Sequence, residues 1–151
     1  MSMFNIFGIS GSAVSAQSQR LNVVASNLAN VDTVAGPDGK AYQAKQVVFQ
    51  TELIGAQKGG PGAPGWSPDG AGAAQSSGVR VSTVQEDSSP GRRVFDPKHP
   101  AADAEGYVTF SNVNAVDEMV NMIAASRSYQ NNIEVMATAK SLLQKTLQMG
   151  Q

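Results

Sequence analysis

The sequence contains no cysteine, one histidine and one tryptophan. Without cysteine there is no disulfide and no thiolate metal site, and the chain risks no mispairing in an oxidising compartment. No run approaches the roughly 20 apolar residues of a membrane-crossing helix. Net charge is −1 over 151 residues, so nothing in the composition points to nucleic acid or an anionic membrane surface. There is no glycine loop followed by Lys-Ser/Thr, no dinucleotide fingerprint and no serine elbow. Met1 to Phe7 is apolar but too short for a signal-peptide core, and no basic segment precedes it. The chain is therefore expected in the cytosol, or exported without a cleaved signal.

One place invites acid–base or metal chemistry. His99 lies among Asp96, Asp103 and Glu105. A metal site normally needs three or four convergent ligands. These candidates share one short loop broken by Pro97 and Pro100, and Asp residues nucleate turns through their own side chains. The segment reads as a structural turn. No catalytic, cofactor-binding or metal-ligating residue is assigned, and no enzyme is expected. A small hydrolase or metal protein using His99 is the rival from another class. A membrane-surface protein is a second rival, disfavoured because the polar faces lack a Lys/Arg band.

What the sequence does have is helical periodicity at both ends. Met119, Met122, Tyr129, Ile133, Met136, Leu143 and Leu147 occupy the a and d positions of one heptad frame. Ser126 and Lys140 are its polar members, and Val116, Ile123 and Ala137 widen it into a stripe. No Gly or Pro interrupts Asn114 to Met149, so a helix of about 50 Å is expected at 1.5 Å per residue. Asn114 is its expected cap, with Asp117 and Glu118 near the positive end of the dipole and Lys140 and Lys145 toward the negative end. Near the start, Val14, Leu21, Val24, Leu28 and Val31 recur at spacings of seven, three, four and three, with Gln17 as the gap. Ser10 or Ser12 would cap this helix near Gly11, and Asn30 would end it. It is either a plain amphipathic core helix or the partner of the C-terminal one.

Between the ends, Val34 to Ser111 reads as β and loop. Val34 to Gly39 is a turn. Tyr42 to Leu53 is a strand pair or a short helix. Gly55 to Gly78 holds eight Gly, five Ala and three Pro in 24 residues, too little apolar surface to offset its ordering entropy, so a mobile loop or linker is expected. Trp66 sits in it as an exposed ring or an anchor in a neighbour's pocket. Gly78 to Val84 alternates, with Val79, Val81 and Thr83 on one face. Glu86 to Gly91 is a turn, Arg92 to Phe95 a short return strand and Tyr107 to Phe110 a last strand. The fold class is α+β, mainly α. Residues 1–33 plus 112–151 form a coiled-coil-like pair of terminal helices, and 34–111 form a small antiparallel β/loop segment with the Gly-rich loop 55–78.

These segments resemble the flagellar basal-body rod protein family, most closely its proximal rod members. The run Ser12 to Thr33 looks like the shared N-terminal motif of axial proteins, in which Asn-x-Ala-Asn-x-x-Thr ends the first helix; here it is Asn27, Ala29, Asn30 and Thr33. The narrower match is Asp96-Pro97-Lys98-His99-Pro100 through Asp103, Gly106, Tyr107 and Val108. It is followed by Asn112 to Ile123 and Ala125 to Gln130, and Ala139-Lys140 and Lys145 to Leu147 agree as well. Ser111 departs from the pattern, standing where the family usually has proline, and Lys40-Ala41-Tyr42 replaces a more typical Gly-Pro-Tyr.

The resemblance implies a non-enzymatic axial subunit without cofactor or small-molecule substrate. Several copies would join the proximal rod, the drive shaft that transmits torque and surrounds the export channel. Another rod or hook-type axial protein is the alternative. Implied partners are other copies, other rod proteins, the export apparatus and membrane-ring neighbours. Its place would be the periplasm-spanning basal body, reached by the flagellar type III path. Helix stripes that one subunit cannot cover would be completed by open-ended contacts with the next. The ends of the free chain are expected to be loosely ordered.

Overall fold

Asn114 starts the longest element as its side chain dictates. Its Oδ1 accepts the Val116 N–H at 3.1 Å, its carbonyl accepts the Glu118 N–H at 3.0 Å, and its Nδ2 donates to Asp117 at 2.8 Å. From there α2 runs Ala115–Met149, 35 residues, with Asp117 and Glu118 in the first turn. The computed structural model describes residues 3–36, 39–54 and 76–149. Its other elements are α1 (Met3–Ala29), β1 (Lys45–Ile54), β2 (Ser76–Glu86), β3 (Arg93–Phe95) and β4 (Tyr107–Thr109).

Helix α1 begins well before Ser10. Neither serine caps it: Ser10 is buried in mid-helix, and the Ser12 hydroxyl donates back to the Ile9 carbonyl at 2.7 Å. Such back-bonding is the usual fate of a serine inside a helix. The Ser12 oxygen also accepts the Val79 N–H at 3.1 Å, which ties α1 to β2. At the far end Asn30 lies in a turn, its N–H donating to the Asn27 carbonyl and its Nδ2 to the Ser26 carbonyl. Thr33 fastens the exit through Oγ1 to the Asn30 carbonyl at 2.7 Å.

The two helices run antiparallel. Arg20 Nη2 donates to Asn121 Oδ1 at 3.1 Å, while Ile6 lies beside Val135, Ala139 and Leu142. Helix α1 also packs against β1 and β2, so it carries both the second helix and the hairpin.

The segment Tyr42 to Leu53 is neither a strand pair nor a helix but one strand from Lys45, with Val, Phe and Thr at its centre. It pairs antiparallel with β2 from Lys45↔Glu86 to Ile54↔Ser76. A bulge at Ser82 moves the register between Val48↔Thr83 and Phe49↔Val81. The expected alternation of β2 therefore breaks: Val79 and Val81 are half-buried, but Thr83 is exposed. Strand 92–95 does not return along β2. An eleven-residue strand finds its length-matched partner in β1, and three-residue β3 pairs with β4 from Arg93↔Thr109 to Phe95↔Tyr107. Among the described residues the result is two separate two-stranded sheets. Val34 bridges Phe110 and so joins the end of α1 to the strand before α2.

Residues 76–78 of the Gly-rich stretch are strand, not loop. The rest of it, Trp66 included, lies outside the described residues.

Candidate functional site

The described core is made of small side chains. Ala16, Val24, Ala44, Val108, Ala125 and Ala139 are its buried apolar members. On α2, the d positions of the heptad frame, Met122, Tyr129, Met136 and Leu143, are half-buried. The apolar a positions are not: Met119, Ile133 and Leu147 are 52%, 41% and 72% exposed. The second row facing α1 is instead Glu118, Ala125, Asn132 and Ala139. The seam is thus rotated by one residue from the apolar frame. Alanine explains the shift, because a methyl lets the two backbones approach more closely than Met or Ile would. On α1, Val24 is buried and Val14, Leu21, Leu28 and Val31 are half-buried.

Near the start of α2, exposed apolar side chains form a ridge. Val116, Met119, Val120 and Ile123 are spaced i, i+3, i+4 and i+7, each more than half exposed. At 100° per residue they stand opposite Ala125, which faces α1. Farther along, Val135 and Leu142 are 47% and 51% exposed and, with Ile6, Asn131, Glu134, Thr138 and Ala139, line a groove of about 470 Å³.

The Asn-x-Ala-Asn-x-x-Thr segment has a physical role that sequence alone did not reveal. Asn27 is fully buried, with three partners. Its Oδ1 accepts the Lys45 N–H at 2.9 Å and the Tyr42 hydroxyl at 3.1 Å, and its Nδ2 donates to the Lys45 carbonyl at 2.8 Å. From the other end of the chain, Asn112 Oδ1 accepts the Ala44 N–H at 2.6 Å. Asn112 Nδ2 donates to the Asp87 and Ser89 carbonyls. Ser111 completes the junction: its hydroxyl donates to the Val31 carbonyl at 2.6 Å and its N–H to the Thr33 carbonyl at 3.1 Å. A proline at this position would have neither donor, so the departure adds two bonds between the chain ends.

The segment 96–107 closes the β3–β4 hairpin. Asp96 Oδ1 accepts the Lys98 N–H at 3.2 Å, and His99 Nδ1 accepts the Ala101 N–H at 3.1 Å. His99 therefore has one ring nitrogen engaged in holding its own turn. Gly106 has φ +81°, and a Cβ there would sit 3.0 Å from the Phe95 ring and 3.3 Å from Pro97 Cβ. Phe95 meets Tyr107 edge to face at 5.3 Å, and Arg93 lies over the Tyr107 ring at 4.9 Å. Arg93 also reaches Asp103 and Glu105 at 3.7 and 3.8 Å. Among the described residues no three His, Cys, Asp or Glu side chains converge as metal ligands would.

At the turn after β2, Asp87 Oδ1 accepts the Ser89 hydroxyl at 2.6 Å and the Ser89 N–H at 2.9 Å. The hydroxyl bond first, and then the backbone bond, hold its carboxyl below the ordinary value of 3.8. Gly91 follows where a Cβ would collide with the Phe110 carbonyl oxygen.

Comparison with known proteins points to one family. A family model described as flagella basal body rod protein matches residues 8–37. A second, described as flagellar basal body rod FlgEFG protein C-terminal, matches residues 104–149. The chain is 54% identical over 151 residues to the flagellar basal-body rod protein FlgC of Yersinia enterocolitica, covering all of both chains. It is 52% identical to that of Salmonella typhimurium, again over the full length of both. It is 36% identical to that of Borreliella burgdorferi, with 97% of each covered.

Proposed function

The chain belongs to the FlgC family of flagellar basal-body rod proteins, and from that membership we propose that it is a structural subunit of the proximal rod in the bacterial flagellar basal body. The observation that carries the mechanism is the exposed stripe Val116, Met119, Val120 and Ile123 on the face of α2 opposite α1. The helix pair closes on alanines and leaves its larger apolar side chains outside. A neighbouring subunit covers them. Covering a half-exposed Ile or Met contributes roughly 1 kcal/mol at about 25 cal/mol per Å², so a tube of many copies becomes rigid through repetition. Such contacts are heterologous and generate an open helical assembly rather than a closed ring.

Its partners in this reading are other copies of the chain and other rod proteins, with the export apparatus and membrane ring at the ends of the assembly. The paired terminal helices supply the inner, coiled-coil-like tube around the export channel. The segment 34–111 stands outside and meets neighbours. The chain reaches the periplasm-spanning rod by the flagellar export path.

Complementation tests the reading. In a bacterium lacking its own rod gene of this family, the chain restores motility and is found in purified basal bodies. Ile123→Asp abolishes both, while the purified variant melts with its parent. Full motility with Ile123→Asp would sink the proposal.

A further inference from the structure

Beside Asn112 two chain segments part and leave a polar cleft between them. Residues 41–44 run into β1 without turn or bend, and residues 87–91 lead away from the end of β2. The two stay joined at one point, where the Asp87 N–H donates to the Ala44 carbonyl at 2.8 Å. There Asn112 bridges them, its Oδ1 accepting the Ala44 N–H and its Nδ2 donating to the Asp87 and Ser89 carbonyls. The Asp87 carboxylate then draws its own chain into a turn through the Ser89 N–H. Past that turn, a cleft of about 740 Å³ lies between the two segments, with Tyr42 on one wall and Ser88 and Gly91 on the other.

Tyr42 presents its backbone to that space. In an extended chain the N–H and C=O of successive residues point to opposite sides. Lys45 turns both of its groups to Asn27, and Ala44 turns both of its groups to Asn112 and Asp87. By the same alternation Tyr42 faces the way Ala44 does, into the cleft. Among the described residues its N–H and C=O bond to no other backbone group. A donor and an acceptor side by side on an unpaired edge are what an added strand bonds to. We propose that the cleft receives an extended, acidic segment of a partner protein, which takes the place opposite Tyr42 that the chain of β2 vacates after Asp87.

The size fits, since clefts that hold ligands measure roughly 300–1,000 Å³. The lining selects the kind of ligand. Small-molecule sites are predominantly apolar, whereas this one is walled by Lys40, Gln43, Ser88 and Asn112 as well as by open backbone. Its charged residues are Lys40, Lys45 and Glu86. Lys45 and Glu86 pair with each other at 3.6 Å, so Lys40 leaves the cleft net basic. An acidic side chain on the incoming segment meets that charge, and a basic one is repelled. The cleft adds a contact to the rod reading without depending on it.

Amide NMR of the purified full chain tests this with a defined peptide, acetyl-Thr-Val-Asp-Val-Thr-amide. The peptide shifts the signals of Tyr42, Gln43 and Gly91 saturably and leaves those of α2 beyond Ala125 unmoved. N-methylation of its three central residues removes the donors of an added strand and weakens binding by roughly tenfold or more. Lys40→Glu weakens the binding of the unmethylated peptide by roughly threefold. Lys40 is exposed, so that variant melts with its parent. No saturable shift at millimolar peptide, or equal binding of the N-methylated peptide, overturns the added strand. Shifts at the same three amides when the chain alone is concentrated place a second copy in the cleft and overturn the partner protein. None of these results depends on whether the chain enters the rod, so failure here and failure of the rod function are distinct.

Discussion

Asn27 and Asn112 hold adjacent residues from opposite ends of the chain: Asn27 Oδ1 accepts the Lys45 N–H at 2.9 Å, and Asn112 Oδ1 accepts the Ala44 N–H at 2.6 Å. Both amides then use their Nδ2 on carbonyls, Asn27 on Lys45 and Asn112 on Asp87 and Ser89. Two side chains thereby fix where β1 leaves the helix pair and where β2 returns to it. The clasp is polar, yet Asn27 is fully buried, so it specifies one arrangement: any other leaves its amide without partners.

Asn27→Ala should destabilise the purified chain by roughly 2–3 kcal/mol, because the Lys45 N–H and carbonyl lose their buried partner. Urea unfolding followed by circular dichroism measures it. An effect within 0.5 kcal/mol, about that of an ordinary surface substitution, would show that the clasp is ornamental.

Met119→Asp and Ala125→Leu should separate assembly from folding. Met119 is 52% exposed, so its replacement should leave the melting temperature unchanged and remove the chain from the rod. Ala125 is fully buried against α1, and a larger side chain there should cost about 1–3 kcal/mol through overpacking. If Met119→Asp unfolds the chain, the apolar frame rather than the alanine row is the true seam.

Leu28→Asp and Met136→Asp place a charge at half-buried positions of the pair. Both should weaken the fold and the rod together, since the carboxylate is partly desolvated. Normal motility with either would count against the paired-helix assembly.

Gly106→Ala should loosen the β3–β4 hairpin by about 1–2 kcal/mol, the cost of a side chain in left-handed backbone. The contact with Phe95 adds to it. Amide exchange at Val94 and Val108 reads the hairpin directly; unchanged protection there would mean that the turn relaxes without strain.

Ser89→Ala should raise the Asp87 carboxyl back toward 3.8, since both the hydroxyl and the N–H of residue 89 lower it and the hydroxyl is lost. A depressed folded value means that the turn's stabilisation is present above the ordinary carboxylate range. It fades as pH falls through the folded value. Carboxyl NMR titration of parent and variant should show the difference. Identical titrations would mean that the hydroxyl bond does not form in solution.

The sequence by itself determined the long C-terminal helix and its asparagine cap, the turn at 96–106, and the alternation of 79–81. Each depends on local chemistry: an unbroken run without Gly or Pro, a side-chain oxygen beside free N–H groups, prolines and aspartates in a loop. It also carried the family, through residues at both ends. The expected start of α1 near Gly11 takes Ser10 or Ser12 as its cap, but Ser12 lies within the helix and bonds to Ile9 and Val79 instead. Only the tertiary structure decided the rest. Which row of α2 faces α1 depends on how closely two backbones approach, and alanine wins over the more apolar Met and Ile for that reason. That β1 pairs with β2 across the long connection depends on matched strand length. The use of Asn27, Ser111 and Asn112 depends on which carbonyls the fold brings within 3 Å or so of them. These are properties of contacts between distant segments, and no local pattern encodes them.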